Sequence, residues 1–440
     1  MKVYIKNIIE DSQQSVKCNS FFKIYNIAKQ YIQDIDNLVI DIPINLSINN
    51  YLEYLEMKLN TINVKISGVI MVKDQEQFIY NCISSVLPIV DELIVMDTGS
   101  VDKTLDIVQS FESKKISVKK EIWKEDFAYM RNKLVSYSSN NWIFVVDADE
   151  VVLPLEDVND LRKVLLFLNL ICGKQKDIKL KIEAHYPNSE RYVLPDRIFK
   201  KTDSMVFINA VHEELVSKKN NNIISLVSTV KCINYGTTNE EDKRFNKKSR
   251  YGNLLLKMLK NDISNPRWIV LSTNELIMEA YPELSFEEIL ITHIKKDINL
   301  PINDSNLQKH EYVYQIMEKL IVYYINQNRF IEAKNLISFC RIKMPNNVNL
   351  IAYEYSNQLN RINACIEDIF KSFIFDVNAL DVDQVKVSSQ KDEQILEALG
   401  VKYLVKLGRY SEAKKYLKNI TDDLALDLII DEINLLDNKL

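Results

Sequence analysis

Apolar positions set the outline of this chain. The runs Val64–Val72, Glu92–Met96, Ile116–Ile122 and Trp142–Val146 read as strands, and Glu76–Leu87, Asp102–Phe111 and Ala128–Ser136 as the helices between them. Such alternation predicts parallel strands joined by crossover helices. Upstream, Phe21, Ile24, Tyr25, Ala28, Tyr31, Ile32 and Ile35 recur at three and four, which makes one helical stripe. A second short helix is expected through Tyr51, Leu52, Tyr54, Leu55 and Leu59, with a segment containing Pro43 between the two. Residues 178–235 look strand-rich and irregular, and from about Thr238 the pattern is helical to Leu440. Three domains are expected: a helical extension over 1–60, an α/β domain over 61–237 and a helical domain over 238–440.

Within the helical half, three segments resemble one another: Leu284-Ser-Phe-Glu-Glu, Arg329-Phe-Ile-Glu-Ala and Arg409-Tyr-Ser-Glu-Ala. Each puts an aromatic and then an acid at the start of an amphipathic helix, as the second helix of a tetratricopeptide unit does. The spacings, 44 residues from Phe286 to Phe330 and 80 from Phe330 to Tyr410, depart from the regular period, so an irregular helical repeat is predicted. Such surfaces bind extended segments, and the domain is assigned an interaction role.

Composition narrows the partners. A net charge of −5 gives no electrostatic case for nucleic acid. The longest apolar stretch, Val164–Cys172, is broken by Asn169 and too short for a membrane span, and acids follow the N-terminus before any signal-like run. A soluble, cytoplasmic protein is expected. Six cysteines scattered without C-x-x-C or His-paired spacing read as reduced, buried thiols.

Candidate chemistry gathers at strand ends. Asn141-Trp-Ile-Phe-Val-Val-Asp147-Ala148-Asp149-Glu150 is a buried strand that delivers acids to a sheet rim, where open α/β folds bind ligands. Asp147 and Asp149 are expected to share one hard divalent cation, Mg²⁺ or Mn²⁺, and through it a diphosphate. Asp97, ending the second strand before a tight turn at Gly99, suits a hydrogen bond to a base or ribose. The helix opening at Asp126-Phe127 offers Arg131 to a phosphate and Asn132 to a polar ligand edge.

In this order these elements resemble family 2 glycosyltransferases of the GT-A fold, over roughly residues 65–237. Val72-Lys73-Asp74-Gln75-Glu76-Gln77-Phe78 is similar to that family's V-K-N-E-E-E-F. Asp97-Thr98-Gly99-Ser100-x-Asp102, Asp126-Phe127-x-x-x-Arg131-Asn132 and Asp147-Ala148-Asp149-Glu150 match closely. Asp196-Arg197-Ile198-Phe199 and Val211-His212-Glu213-Glu214 match a branch with tetratricopeptide-like C-terminal helices. Within that branch the layout looks most like the peptide S-glycosyltransferases of sublancin-type glycocin biosynthesis.

The resemblance implies an inverting transfer of a hexose from a UDP-sugar, UDP-glucose being favoured, to a Cys or Ser of a ribosomal precursor peptide. It implies donor binding by Asp74, Asp97, Arg131, Asn132 and Asp147, and a metal held by Asp147 and Asp149. Glu213 is first choice as general base, with Glu150 and Glu214 in reserve; His212 is base, ligand or packing residue. A homodimer through the helical domain is also entertained. Two other functions share the motifs: the same chemistry on a cell-surface glycan or lipid-linked sugar, and a non-catalytic binding module. The chain departs from the family at Asp74-Gln75, where Asn-Glu is usual, and at Asn234-Tyr235-Gly236, where His-x-Gly is usual.

Overall fold

The computed structural model describes residues 2–12, 19–42, 46–59, 63–173, 176–187, 189–219, 223–236, 247–379 and 390–437. Pro43 and the expected boundary at 237–238 lie outside them. The chain forms two compact units, Met1–Asn261 and Asp262–Leu440.

The first unit opens with β1 (Lys2–Tyr4), α1 (Ile5–Ser12), α2 (Asn19–Tyr31), β2 (Val39–Asp41) and α3 (Ile48–Leu59), β1 and β2 pairing antiparallel. That pair was not legible in the sequence, because three-residue strands carry no period. The alternating region follows as β3 (Ile66–Val72), α4 (Ile79–Val86), β4 (Glu92–Asp97), α5 (Thr104–Gln109), β5 (Ile116–Lys120), α6 (Phe127–Ser136), β6 (Trp142–Asp147) and β7 (Glu150–Val152). Then come α7 (Val158–Cys172), β8 (Asp177–His185), β9 (Tyr192–Val193), β10 (Asp196–Lys200), β11 (Met205–Ile208), β12 (Glu214–Ser217), β13 (Ile223–Asn234) and α8 (Lys247–Asn261).

The main sheet runs β5-β4-β3-β6-β10-β8-β13-β7, with β9 on β8. β5, β4, β3 and β6 are mutually parallel, as predicted; β10 enters antiparallel to β6. The order reverses between β3 and β6, so the ends of those strands open a crevice suited to a ligand.

Strand parity decides what meets that crevice. On β6, Trp142, Phe144 and Val146 join one core with α2, α3, α4 and α7, whereas Ile143 and Val145 join a second core with Met130 and Leu134 of α6. Side chains alternate faces, so Asp147, in step with Ile143 and Val145, falls on the α6 side. Arg197, in step with Phe199 of that second core, falls there too. Strands apolar on both faces are what a covered parallel sheet requires. Each fully buried Leu, Ile, Val or Phe contributes about 1.5–3 kcal/mol.

The helical extension packs into this unit. Phe21 of α2 lies 5.4 Å from Phe167 of α7 between ring centroids, and the Gln33 amide donates to the Val227 carbonyl at 2.8 Å.

The second unit is helical: α9 (Pro266–Leu271), α10 (Asn274–Ala280), α11 (Phe286–Ile294), α12 (Val313–Asn326), α13 (Phe330–Lys343), α14 (Val348–Asn378), α15 (Gln390–Lys406), α16 (Tyr410–Leu417), α17 (Asp423–Asp427) and α18 (Ile430–Asp437). The three similar segments each open a helix at their aromatic residue. Two share a connector in detail. Asn328 and Gly408 both turn with positive φ, Arg329 and Arg409 follow with near-identical φ and ψ, and each arginine binds the glutamate three residues on. That recurrence supports the helical-repeat reading. No helix among the described residues is long and apolar enough to cross a membrane.

Candidate active site

At the β3–β6 switch point lies a cavity of 480 Å³. Val72, Lys73, Gln75 and Thr98 form its sheet-end wall, Asp147, Ala148 and Asp149 its floor, and Trp123, Phe127, Arg131, Glu213, Arg250 and Tyr251 the side towards α6 and α8.

Five charged side chains interlock at its floor. Arg131 donates through Nη2 to Asp147 Oδ1 at 2.8 Å and through Nε to Glu213 Oε1 at 2.6 Å. Arg197 donates to the other Asp147 oxygen and to Glu150 Oε1, the latter at 2.5 Å. Burial alone would raise the Asp147 carboxyl, but the guanidiniums of Arg197 and Arg131 outweigh it and hold the group well below the usual carboxylate range. Glu150 is shifted the other way: burial pushes it up, Asp147 adds to that, and Arg197 opposes it.

This geometry separates the expected metal pair. Asp147 has both oxygens on arginines, which brace the turn. Asp149 lines the cavity, and its backbone carbonyl accepts from Tyr235 at 2.9 Å. Asn234, where the family has histidine, turns its Oδ1 to the Gly236 amide at 2.9 Å and its amide to Glu150 at 3.3 Å. Among the described residues no group of three His, Cys, Asp or Glu side chains is placed to hold a metal. The donor set nevertheless fits a divalent cation in one way: Asp149 as its carboxylate ligand, with phosphate and water oxygens filling the shell.

The remaining expected residues divide. Glu213 is at the cavity with its side chain 17% exposed. Glu150 is 1% exposed, accepts from the Asp147 amide at 3.0 Å and does not line the cavity, so burial removes it from the reserve of bases. Glu214 is exposed on β12. His212 is exposed with φ +50° and stacks on Tyr251 at 6.0 Å. Asn132 holds both sides of Phe207's backbone, Nδ2 to its carbonyl at 2.8 Å and Oδ1 from its amide at 2.9 Å, which fixes β11. Asp97 is buried and accepts from the Gly99 and Ser100 amides, with Gly99 at φ +108°. Asp74, also at positive φ, accepts from the Val101 amide at 2.7 Å. Both acids shape the turn beside the cavity, and Thr98 and Gln75 line it in their place.

Sequence reasoning did not select Arg197, Trp123, Arg250 or Tyr251 for the site. Arg197 had a signal, its matched Asp196-Arg197-Ile198-Phe199 context. Arg250 and Tyr251 had none, lying on α8 after the stretch 237–246. The described cysteines are free thiols, and all but Cys365 are buried; burial raises Cys82, whose Sγ is 3.4 Å from the Asp147 carbonyl.

Residues 67–212 match glycosyl transferase family 2. The chain is 24% identical over 308 residues to the SPbeta prophage-derived glycosyltransferase SunS of Bacillus subtilis (strain 168), covering 68% of this chain and 69% of that one. It is 36% identical over 109 residues to a TPR repeat-containing protein of Synechococcus elongatus, covering 25% of this chain and 26% of the relative. Among solved structures, Staphylococcus aureus TarS 1–349 in complex with UDP-GlcNAc is a loose likeness, with TM-score 0.32 and 15% identity over 68% of this chain and 91% of TarS. The chain thus carries a glycosyl transferase family 2 domain over residues 67–212.

Proposed function

We propose that the protein transfers a hexose from a UDP-hexose to a cysteine or serine of a ribosomal precursor peptide, with inversion at the anomeric carbon. The observation that carries the donor half is the Asp147-Ala148-Asp149 turn, locked by Arg131 and Arg197 at the end of β6, with Asp149 at the cavity. The peptide half rests on likeness: to the glycocin S-glycosyltransferases in layout, and to helical-repeat surfaces in the second unit.

The uridine would lie against Val72, Gln75 and Thr98, and the diphosphate towards Asp149. Asp149 would hold a Mg²⁺ or Mn²⁺ ion, which when bound neutralises charge on the departing diphosphate. Glu213 is the base. The acceptor sulfur forms its bond to C1 as the C1–O bond breaks, UDP leaves with that electron pair, and the thiol proton passes to Glu213. Arg131 donates to Glu213 at 2.6 Å and holds that carboxylate at the cavity. A thiol acceptor, with an ordinary pKa of about 8.5, needs less assistance from a base than a hydroxyl.

Asp149→Ala in the full chain tests the donor half. Hydrolysis of UDP-glucose dependent on Mg²⁺ or Mn²⁺ is expected to disappear while the protein stays folded. Undiminished turnover in EDTA, or in the variant, would contradict the reading.

A further inference from the structure

We infer that Arg250, on α8 and beyond the matched family domain, is the residue that grips the leaving diphosphate. The inference rests on the UDP-sugar reading above and names a ligand that reading lacks. Arg131, the arginine that sequence reasoning offered to the phosphate, is neutralised by Asp147 and Glu213. Arg250 lines the same cavity and has no ion-pair partner among the described residues. Its guanidinium carbon sits 5.5 Å from the Phe127 ring centroid and 5.6 Å from that of Tyr251, and those rings stack on each other at 5.8 Å. Aromatic faces hold a guanidinium in place without cancelling its charge, which leaves its planar fork for an oxyanion.

Glu125 and Glu213 also line that side, yet donors there stay unmatched. Trp123 Nε1, Arg131 Nη1 and Arg250 Nε are all buried there with no hydrogen-bond partner, and Arg131 is only 7% exposed. Three unmatched N–H donors in one cavity call for a ligand rich in oxygen. A diphosphate supplies those acceptors and the opposite charge. Lys73, the other cation at the rim, is exposed.

Calorimetric titration of the full chain with UDP, uridine and inorganic pyrophosphate tests this. Arg250→Ala is expected to weaken UDP and pyrophosphate about tenfold or more, the scale of a hydrogen bond to a charged group, and to leave uridine affinity unchanged. Arg250→Lys should fall between wild type and alanine. Unchanged UDP affinity in Arg250→Ala overturns the assignment alone, and so does an equal loss for UDP and uridine, which marks a packing role. Wild-type protein that binds neither UDP nor uridine overturns the donor reading along with it.

Discussion

A Cβ atom built on Gly236 would stand 1.8 Å from Oδ2 of Asp149, so the absence of a side chain at 236 is what allows that carboxylate its position. The contact ties the end of β13 to the floor of the cavity. It also gives the Asn234-Tyr235-Gly236 segment a role that does not depend on the family's histidine.

Gly236→Ala should therefore act as a site mutation and not as a fold mutation. We expect it to cut UDP-glucose turnover at least as far as about a hundredfold, the scale of a misplaced site group, with an unchanged circular dichroism spectrum and melting point within a few degrees. Wild-type turnover in this variant would show that Asp149 does not need its present position.

Arg197→Met removes the partner of a glutamate that is 1% exposed. Breaking a buried pair from one side costs about 3–5 kcal/mol. Because burial already raises the Glu150 carboxyl, the orphaned group escapes part of that cost by taking up a proton, so the loss should be larger at pH 8 than at pH 5. Urea unfolding at the two pH values measures it, and Glu150→Gln added to Arg197→Met should recover much of the difference. A loss independent of pH and of the second substitution would place the effect elsewhere.

Asp147 has the opposite sign. Its folded carboxyl lies below the unfolded value of about 3.9, so its contribution is complete above that value and is lost as pH falls through the folded one. Wild type should exceed Asp147→Asn in stability by a constant margin from about pH 5 to 7, and that margin should shrink by pH 3. A margin that grows on acidification would refute the paired-carboxylate account.

The sequence made the parallel strands and the acidic turn legible because both depend on local order. Apolar runs on β3, β4 and β6 name strands buried on two faces, and parity then sends Asp147 to the α6 side. What local order could not show was who pairs with whom. Asp147 and Asp149 look equivalent as Asp-x-Asp, yet Arg131 and Arg197 come from 16 residues upstream and 50 downstream to take both oxygens of the first. Asn132 looked like a ligand residue beside Arg131, but neighbours on a helix face different ways, and its amide found the Phe207 backbone. Arg250 and Tyr251 carry no motif at all; only tertiary packing brings them to Phe127.

The central claim is transfer of a hexose to a cysteine of a peptide, and intact mass measurement of the acceptor tests it most directly. The full chain would be incubated with UDP-glucose, Mg²⁺ or Mn²⁺, and a Cys-containing precursor peptide. The account predicts a hexose adduct on the peptide that is absent with Asp149→Ala enzyme and absent when the acceptor cysteine is replaced by alanine. An untouched peptide alongside a hexosylated lipid-linked sugar under the same conditions would contradict it.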